Sequence, residues 1–192
     1  MKKIGILGGT FNPIHNGHIS VAKAAYEKLE LDQIIFVPCA KPPHKDDTEL
    51  LNGQIRYAMV ELAIKEYPNF IVSDFEINRG GKSYSINTIK ALRDDFTEKV
   101  EMFFIIGQDN FAGLKKWKDA DELKGLCSFI VINRDNHKVD CSQEGFKVIN
   151  VKMSPVFISS SEIRDAIRDG LEWDKDVPKE VVEYIQGNKL YI

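Results

Sequence analysis

The alternation of strand-like and helix-like stretches constrains the fold of this chain more than any other feature. Apolar runs of strand length occupy residues 4–8, 33–37, 101–106 and 128–133. Amphipathic stretches with helical periodicity separate them, at residues 17–30, 52–67 and 84–96. Strands that alternate with helices in this way form βαβ units, and therefore a mostly parallel sheet with helices on both faces. We predict a doubly wound α/β fold, in which ligands bind beyond the carboxyl ends of the strands.

The remaining segments extend the same pattern. They predict a strand region at residues 70–77, a further strand at 146–151, and helices at 111–115, 120–126, 160–169 and 178–186. No repeat, low-complexity tract or linker interrupts the 192 residues. One domain, residues 1–192, with a helical C-terminal tail, is therefore the economical prediction.

Composition excludes several classes of function. The formal net charge is −3, so the chain lacks the global basic field with which proteins hold nucleic acid or an anionic membrane. Its apolar runs are far shorter than the roughly 18 residues that suggest a membrane-spanning helix. Cys39, Cys127 and Cys141 have no CxxC spacing, which indicates reduced intracellular thiols rather than a disulfide framework or a zinc site. We expect a cytoplasmic protein without nucleic-acid or membrane partners.

The segment after the first predicted strand carries the strongest functional pattern. Residues 8–18 read GGTFNPIHNGH. Gly8 and Gly9 allow a sharp turn and a close approach of the main chain to a phosphate, and the helix start that follows offers free N–H groups. His15 and His18 lie three residues apart, so both imidazoles can face one phosphate. The segment predicts an anion site, although each histidine taken alone fits a capping or packing role as well.

Other chemistries fit this region less well. The histidine pair lacks a nearby third ligand for zinc. Residues 81–83 read GKS, like the end of a P-loop, but Glu76 stands where that motif needs its first glycine. The GxGxxG dinucleotide fingerprint is absent after the first strand, which disfavours hydride transfer.

A second anion site is predicted at the start of the first tail helix. Ser159 and Glu162 have the spacing of a capping box, which alone would explain the serines structurally. The same helix N-terminus, with hydroxyls in its first turn and Arg164 one turn in, can also bind phosphate oxygens. The two roles are compatible.

Further candidates follow other predicted strands. Asp109 comes directly after a strand, where a carboxylate can reach a ribose hydroxyl. The ring of Trp117 fits either stacking on a flat ligand or anchoring the core. His44 and Lys45 follow two prolines and, taken alone, indicate a solvated loop tip.

Together these motifs resemble the (T/H)xGH nucleotidyltransferases, and in particular the bacterial nicotinate-nucleotide adenylyltransferases. The resemblance rests on residues 8–18 and on matches along the rest of the chain: PHK at 43–45, RGGKSYS at 79–85, IGQD at 106–109 with Trp117 after it, and ISSSEIR at 158–164. Two positions depart from the family pattern, because Asn12 stands where Asp is common and Ser85 stands in place of Thr. The resemblance implies a Rossmann-like fold whose tail, from about residue 158, contributes to the ATP site.

The resemblance also assigns roles to individual residues. The residues that it places on ATP are Gly8, Gly9, Thr10, Phe11, His18, Ser160, Ser161 and Arg164. The residues that it places on the mononucleotide are His44, Lys45, Ser85, Asp109 and Trp117. It sets Trp117 against the nicotinate ring, with main-chain N–H groups near Ser85 and Lys118 on the carboxylate. His15, His18 and Arg164 are the expected catalytic residues.

The implied reaction is adenylyl transfer from ATP to nicotinate mononucleotide, giving nicotinate adenine dinucleotide and pyrophosphate, a step of NAD biosynthesis. The mononucleotide phosphate attacks in line, without a covalent enzyme intermediate. Mg²⁺ is expected to be held mainly by ATP oxygens and water, with no metal site built from protein side chains. A homo-oligomer is compatible with this assignment. The alternatives are a pantetheine-phosphate adenylyltransferase, which shares the first motif, and a catalytically silent nucleotide sensor.

Overall fold

The computed structural model describes residues 1–42, 49–133 and 145–192. The strands are β1 (Lys2–Gly9), β2 (Gln33–Pro38), β3 (Phe70–Val72), β4 (Val100–Gly107), β5 (Ser128–Asn133) and β6 (Val148–Lys152). The helices are α1 (Asn16–Leu29), α2 (Gly53–Ile64), α3 (Phe75–Arg79), α4 (Ser85–Asp94), α5 (Gln108–Ala112), α6 (Ala120–Leu126), α7 (Ser160–Arg168) and α8 (Lys179–Gly187). In these three ranges, no helix combines the length and apolar character needed to cross a membrane.

The six strands form one parallel sheet in the order β3-β2-β1-β4-β5-β6. Ile6 of β1 lies opposite Ile35 of β2 on one side and opposite Phe104 of β4 on the other. The strand order therefore reverses between β1 and β4, and a crevice opens at their carboxyl ends. Gly9 and Gly107, the last residues of these two strands, flank the crevice. The predicted doubly wound α/β fold is confirmed.

Helices cover both faces of the sheet because the strand residues alternate between two apolar layers. One layer joins the sheet to helices α1, α2, α7 and α8, with Ala22, Met59, Ile163 and Val181 among its buried residues. The other joins it to helices α4, α5 and α6, with Ile89, Phe111 and Leu123. Helix α8 also packs directly on α2. The C-terminal helices thus share a core with the first half of the chain.

The predicted strand region at residues 70–77 is wrong beyond residue 72. Strand β3 ends at Val72, and the chain then forms the short helix α3. In this helix Glu76 turns inward, where the hydroxyl of Thr88 donates a hydrogen bond to its carboxylate. That contact joins two different helices, α3 and α4, so the local apolar pattern does not indicate it.

Cys39 and Cys127 are buried, with 9% and 6% of their surface exposed. Burial raises the pKa of both thiols, that of Cys127 to about 12. Because the thiolate is the reactive form, we expect both to resist iodoacetamide in the native protein at mildly alkaline pH. Both should react once urea unfolds the chain, and peptide mass spectrometry reads each site separately. Equal labelling of Cys127 in the native and unfolded chains would contradict this expectation. Cys141 lies outside the described residues.

Candidate active site

The loop after β1 lies at the crevice and leads into α1. Gly9 accepts a hydrogen bond from the N–H of Cys39 at 2.9 Å, which joins the ends of β1 and β2. A Cβ atom on Gly9 would lie 2.7 Å from the ring of Phe11, so this position requires glycine. Phe11 has a left-handed backbone, with φ of 50°, and the whole residue is 1% exposed. The exposed surface of this turn therefore comes from its neighbours, because Gly8 is exposed and Gly9 and Thr10 are half-buried.

His15 and His18 lie against each other at the start of α1. Their rings stack with centroids 3.7 Å apart, and the ring of Phe11 meets His18 edge-on at 5.0 Å. The backbone N–H of His15 donates to Nδ1 of His18 at 3.3 Å. Because Nδ1 accepts this bond, the proton of the neutral His18 ring lies on Nε2. His15 is buried and His18 is half-buried, so the pair forms one fixed group at the helix N-terminus.

Helix α7 docks its N-terminus onto the same loop. The hydroxyl of Ser160 donates to the carbonyl of Pro13 at 2.9 Å, and Nη1 of Arg164 donates to the carbonyl of Asn12 at 2.9 Å. The positive ends of α1 and α7 therefore meet around one short loop, which favours a bound anion. Ser161 is exposed in the first turn of α7. Ser159 is the N-cap residue, but its side chain makes no capping hydrogen bond within the described structure, so the predicted capping box is wrong.

Arg164 already pairs with a carboxylate. Its Nε lies 3.2 Å from Oε2 of Glu49, and Arg168 pairs with the same carboxylate. Hydrogen bonds from Arg168 and then from Arg164 hold the pKa of Glu49 below its ordinary value. The Arg164 side chain is 11% exposed and that of Arg168 is 44% exposed.

Asn12, at the position where the family often has Asp, is occupied by contacts within the protein. Its Oδ1 accepts from the N–H of Leu51 at 3.3 Å and from the hydroxyl of Tyr191 at 3.0 Å. Its Nδ2 donates to the carbonyl of Glu49 at 3.1 Å. A carboxylate could not make this last bond, because it has no donor when ionised. The amide thus ties the loop after β1 to the segment just before α2 and to the C-terminal tail.

The second group of predicted residues lies at the β4 side of the crevice. Asp109 is exposed in the first turn of α5, directly after β4. Trp117 is half-buried and meets Phe104 and Phe129 edge-on, at 5.9 and 6.4 Å. It also borders a surface hollow of about 610 Å³. Trp117 therefore packs against the core with one part of its ring and leaves another part exposed. Its stacking on a ligand stays a prediction.

Lys118, the residue after Trp117, contacts the start of α4. The Nζ atom of Lys118 lies 4.8 Å from the centre of the Tyr84 ring, over its face. Tyr84 is the N-cap of α4, and Ser85 is the first residue of that helix. The segments around Ser85 and Lys118 are thus neighbours, as recognition of one carboxylate by both would require. His44 and Lys45 lie outside the described residues.

Comparisons with known proteins decide the family. Residues 6–166 match the model of the cytidylyltransferase-like family. The chain is 38% identical over 212 residues to a probable nicotinate-nucleotide adenylyltransferase of Geotalea uraniireducens, covering 98% of each chain. It is also 38% identical to a protein of the same name from Clostridium acetobutylicum, covering 100% of each. The chain belongs to the nicotinate-nucleotide adenylyltransferase family.

Solved structures agree on the fold of this nicotinate-nucleotide adenylyltransferase family member. The Plasmodium falciparum nicotinic acid mononucleotide adenylyltransferase complexed with NaAD matches with a TM-score of 0.82, at 23% identity, over 100% of this chain and 98% of that one. The same enzyme complexed with APC matches with a TM-score of 0.78. The stated resemblance is therefore confirmed, and with it the Rossmann-like architecture and the nucleotidyltransferase class of enzyme.

The nicotinate-nucleotide adenylyltransferase motifs do not reveal every residue that shapes the site. Arg56, Glu49 and Tyr191 all contact the loop after β1, and none was predicted to do so. Of these three residues, only Arg56 could have been found from the sequence pattern. It is three residues before Met59 and seven before Ala63, so it lies on the buried face of α2, where an arginine needs partners.

Proposed function

We propose that this protein transfers the adenylyl group of ATP to nicotinate mononucleotide and releases nicotinate adenine dinucleotide and pyrophosphate. The observation that carries the proposal is the meeting of the α1 and α7 N-termini at residues 12–13, which gathers His15, His18, Ser160 and Arg164 around one loop. Such a group of donors suits a polyphosphate. The choice of acceptor is supported by the contact of Lys118 with Tyr84, the residues next to Trp117 and Ser85, and by the names of the full-length relatives.

The reaction needs no protein nucleophile. A phosphate oxygen of the mononucleotide, already anionic at neutral pH, attacks the α-phosphorus of ATP. The bond between that phosphorus and the oxygen that bridges to the β-phosphorus breaks, and pyrophosphate leaves. Catalysis then consists of holding the two phosphates in line and stabilising charge in the transition state.

Each part of the site has a distinct task in this mechanism. His15 and His18 hold oxygens of the α- and β-phosphates, with His18 donating from Nε2. Arg164 and the first turn of α7, with Ser160 and Ser161, hold the departing pyrophosphate. The main chain of residues 8–11 supports the nucleotide. His44 and Lys45 supply further positive charge, and Asp109 accepts from a ribose hydroxyl.

Magnesium is proposed to enter with ATP. Both oxygens of Asn12 accept hydrogen bonds within the protein, the carbonyl from Arg164 and Oδ1 from Leu51 and Tyr191. Position 12 thus offers the ion no side-chain oxygen, which fits Mg²⁺ that is coordinated by phosphate oxygens and water. When bound, the ion neutralises phosphate charge.

Pyrophosphate release measured in parallel with three acceptors tests the proposal. With ATP and Mg²⁺ present, we expect turnover with nicotinate mononucleotide to exceed turnover with nicotinamide mononucleotide and with phosphopantetheine. Preference for phosphopantetheine would assign the protein to pantetheine-phosphate adenylyl transfer instead. ATP binding without pyrophosphate release from any acceptor would indicate a nucleotide sensor.

A further inference from the structure

Arg56 is a buried arginine beneath the candidate active site. It is 1% exposed and is among the largest fully buried side chains of the described residues. It lies in the first turn of α2, whose neighbouring buried residues are apolar. Burying a guanidinium among them is costly unless each donor finds an acceptor. Its partners therefore indicate what the arginine does.

The acceptors of Arg56 include main-chain carbonyls from three separate segments. Nη1 donates to the carbonyl of Thr10 at 2.7 Å. Thr10 lies in the loop of residues 10–15 after β1, called the ATP loop because it is proposed to bind ATP. Nη2 donates to Cys39 at 2.6 Å and Ala40 at 3.4 Å, at the end of β2. Nε donates to Leu51 at 2.9 Å, just before α2. A planar fork with several fixed donors suits this task, whereas the single ammonium of lysine does not.

The same network reaches the mononucleotide side of the site. The N–H of Ala40 donates to the hydroxyl of Ser83 at 3.0 Å, and the N–H of Ser83 donates to the carbonyl of Lys41 at 3.0 Å. Ser83 comes two residues before Ser85, at the start of α4. Burial raises the pKa of the Glu76 carboxyl, while hydrogen bonds from Ser83 and Thr88 and the positive charge of Arg56 act in the opposite direction. A chain of hydrogen bonds through Ala40 and Ser83 thus connects Arg56 to the segment that is expected to bind the acceptor.

We propose that Arg56 is a positioning residue for adenylyl transfer: it fixes the ATP loop relative to the acceptor segment, so that the two phosphates meet in line. The proposal rests on the proposed function. ATP is proposed to contact the first loop and α7, and α7 holds that loop independently of Arg56 through the carbonyls of Asn12 and Pro13, so ATP can bind when the second segment shifts. The chemical step needs both segments in register, and a misplacement of about 1 Å can cost on the order of 10²-fold in rate.

The test compares two substitutions of Arg56 with a control on the same helix. Arg56→Met removes every donor, and we expect kcat to fall on the order of 10²-fold while the Kd of ATP, measured by calorimetry without acceptor, changes less than about threefold. Arg56→Lys keeps the charge but not the fork, and we expect it to lose about tenfold in kcat. Met59→Ala creates a cavity one turn further along α2, so we expect a lower melting temperature with kcat within about twofold of wild type.

Two outcomes would overturn the proposal. One is a folded Arg56→Met variant that keeps near wild-type kcat. The other is loss of activity by Met59→Ala to the same extent as by Arg56→Met. If Arg56→Met does not fold, Ser83→Ala takes its place, because it removes the acceptor of the Ala40 N–H. We expect it to raise the KM for the mononucleotide about fivefold or more and to leave ATP binding unchanged, and an unchanged KM would overturn the proposal.

Hydrogen–deuterium exchange separates this inference from the proposed function, because it needs no acceptor. We expect amides of residues 8–12 and 38–41 to exchange faster in Arg56→Lys than in wild type, and to be unaffected in Met59→Ala. If wild type fails to turn over nicotinate mononucleotide but the exchange pattern is found, the proposed function fails and the positioning role of Arg56 stands. Unchanged exchange in Arg56→Lys would overturn the positioning role itself.

Discussion

Replacing His18 by alanine is expected to lower the rate of adenylyl transfer on the order of 10²-fold or more. In the proposed mechanism, Nε2 of His18 donates to a phosphate oxygen whose charge grows in the transition state. The His18 ring is already held in place for this task. Its Nδ1 accepts a hydrogen bond from the N–H of His15, the His15 ring stacks on its face, and the Phe11 ring meets it edge-on. A donor fixed before the substrate arrives stabilises the transition state without further reorganisation. Steady-state pyrophosphate release at saturating ATP and nicotinate mononucleotide measures the effect.

Two conservative variants separate the donor role of His18 from its structural role. In His18→Asn, the amide oxygen can still accept from the N–H of His15, so the start of α1 is kept while the donor at Nε2 is lost. We expect this variant to melt close to wild type and to lose about as much activity as His18→Ala. In His18→Gln the amide reaches the position of Nε2, and we expect a partial recovery of kcat. Near wild-type turnover by His18→Asn would mean that the histidine serves only to cap the helix.

The part of the site that sequence could predict lies where one continuous segment carries the chemistry. Residues 8–18 hold a strand end, a turn and a helix start in order, so their local structure follows from glycine placement and periodicity alone. The helix start at Ser160 could be predicted for the same reason, and the anion-binding role of Ser160 and Arg164 stays a prediction. The packing of α7 on the first loop could not be predicted, because it depends on tertiary hydrogen bonds to the carbonyls of Asn12 and Pro13.

The residues that were not predicted make hydrogen bonds to main-chain carbonyls or to side chains in other segments of the chain. Arg56 binds carbonyl groups, which every residue has, so its partners leave no trace in the side chains of the sequence. Tyr191 reaches Asn12 across almost the whole length of the chain. Glu76 lies in the short helix α3, where the hydroxyl of Thr88 in α4 donates to its carboxylate. In each case the deciding contact exists only once the sheet has brought separate segments together.

Arg164→Ala is expected to lower kcat/KM for ATP on the order of 10²-fold, because a buried, charge-assisted donor to the triphosphate is lost. Arg168→Ala is the matched control. It lies one turn further along α7 and pairs with the same carboxylate of Glu49, but its side chain is 44% exposed, whereas that of Arg164 is 11% exposed. Exposed ion pairs contribute only about 0–1 kcal/mol, so we expect Arg168→Ala to change kcat/KM for ATP by less than about fivefold.

Comparing Arg164→Ala with Arg168→Ala also separates the effect of net positive charge on α7 from the effect of a guanidinium at one defined position. Both variants remove one positive charge from α7, so a general electrostatic effect on ATP would weaken the two alike and would fade together at high salt. Arg164 differs in that it also donates to the carbonyl of Asn12 and thereby holds α7 on the loop that carries the histidines. Arg164→Lys keeps the charge without the fork, and we expect it to fall between Arg164→Ala and wild type. Equal losses in Arg164→Ala and Arg168→Ala would show that α7 acts on ATP through its net charge and not through a guanidinium placed at the triphosphate.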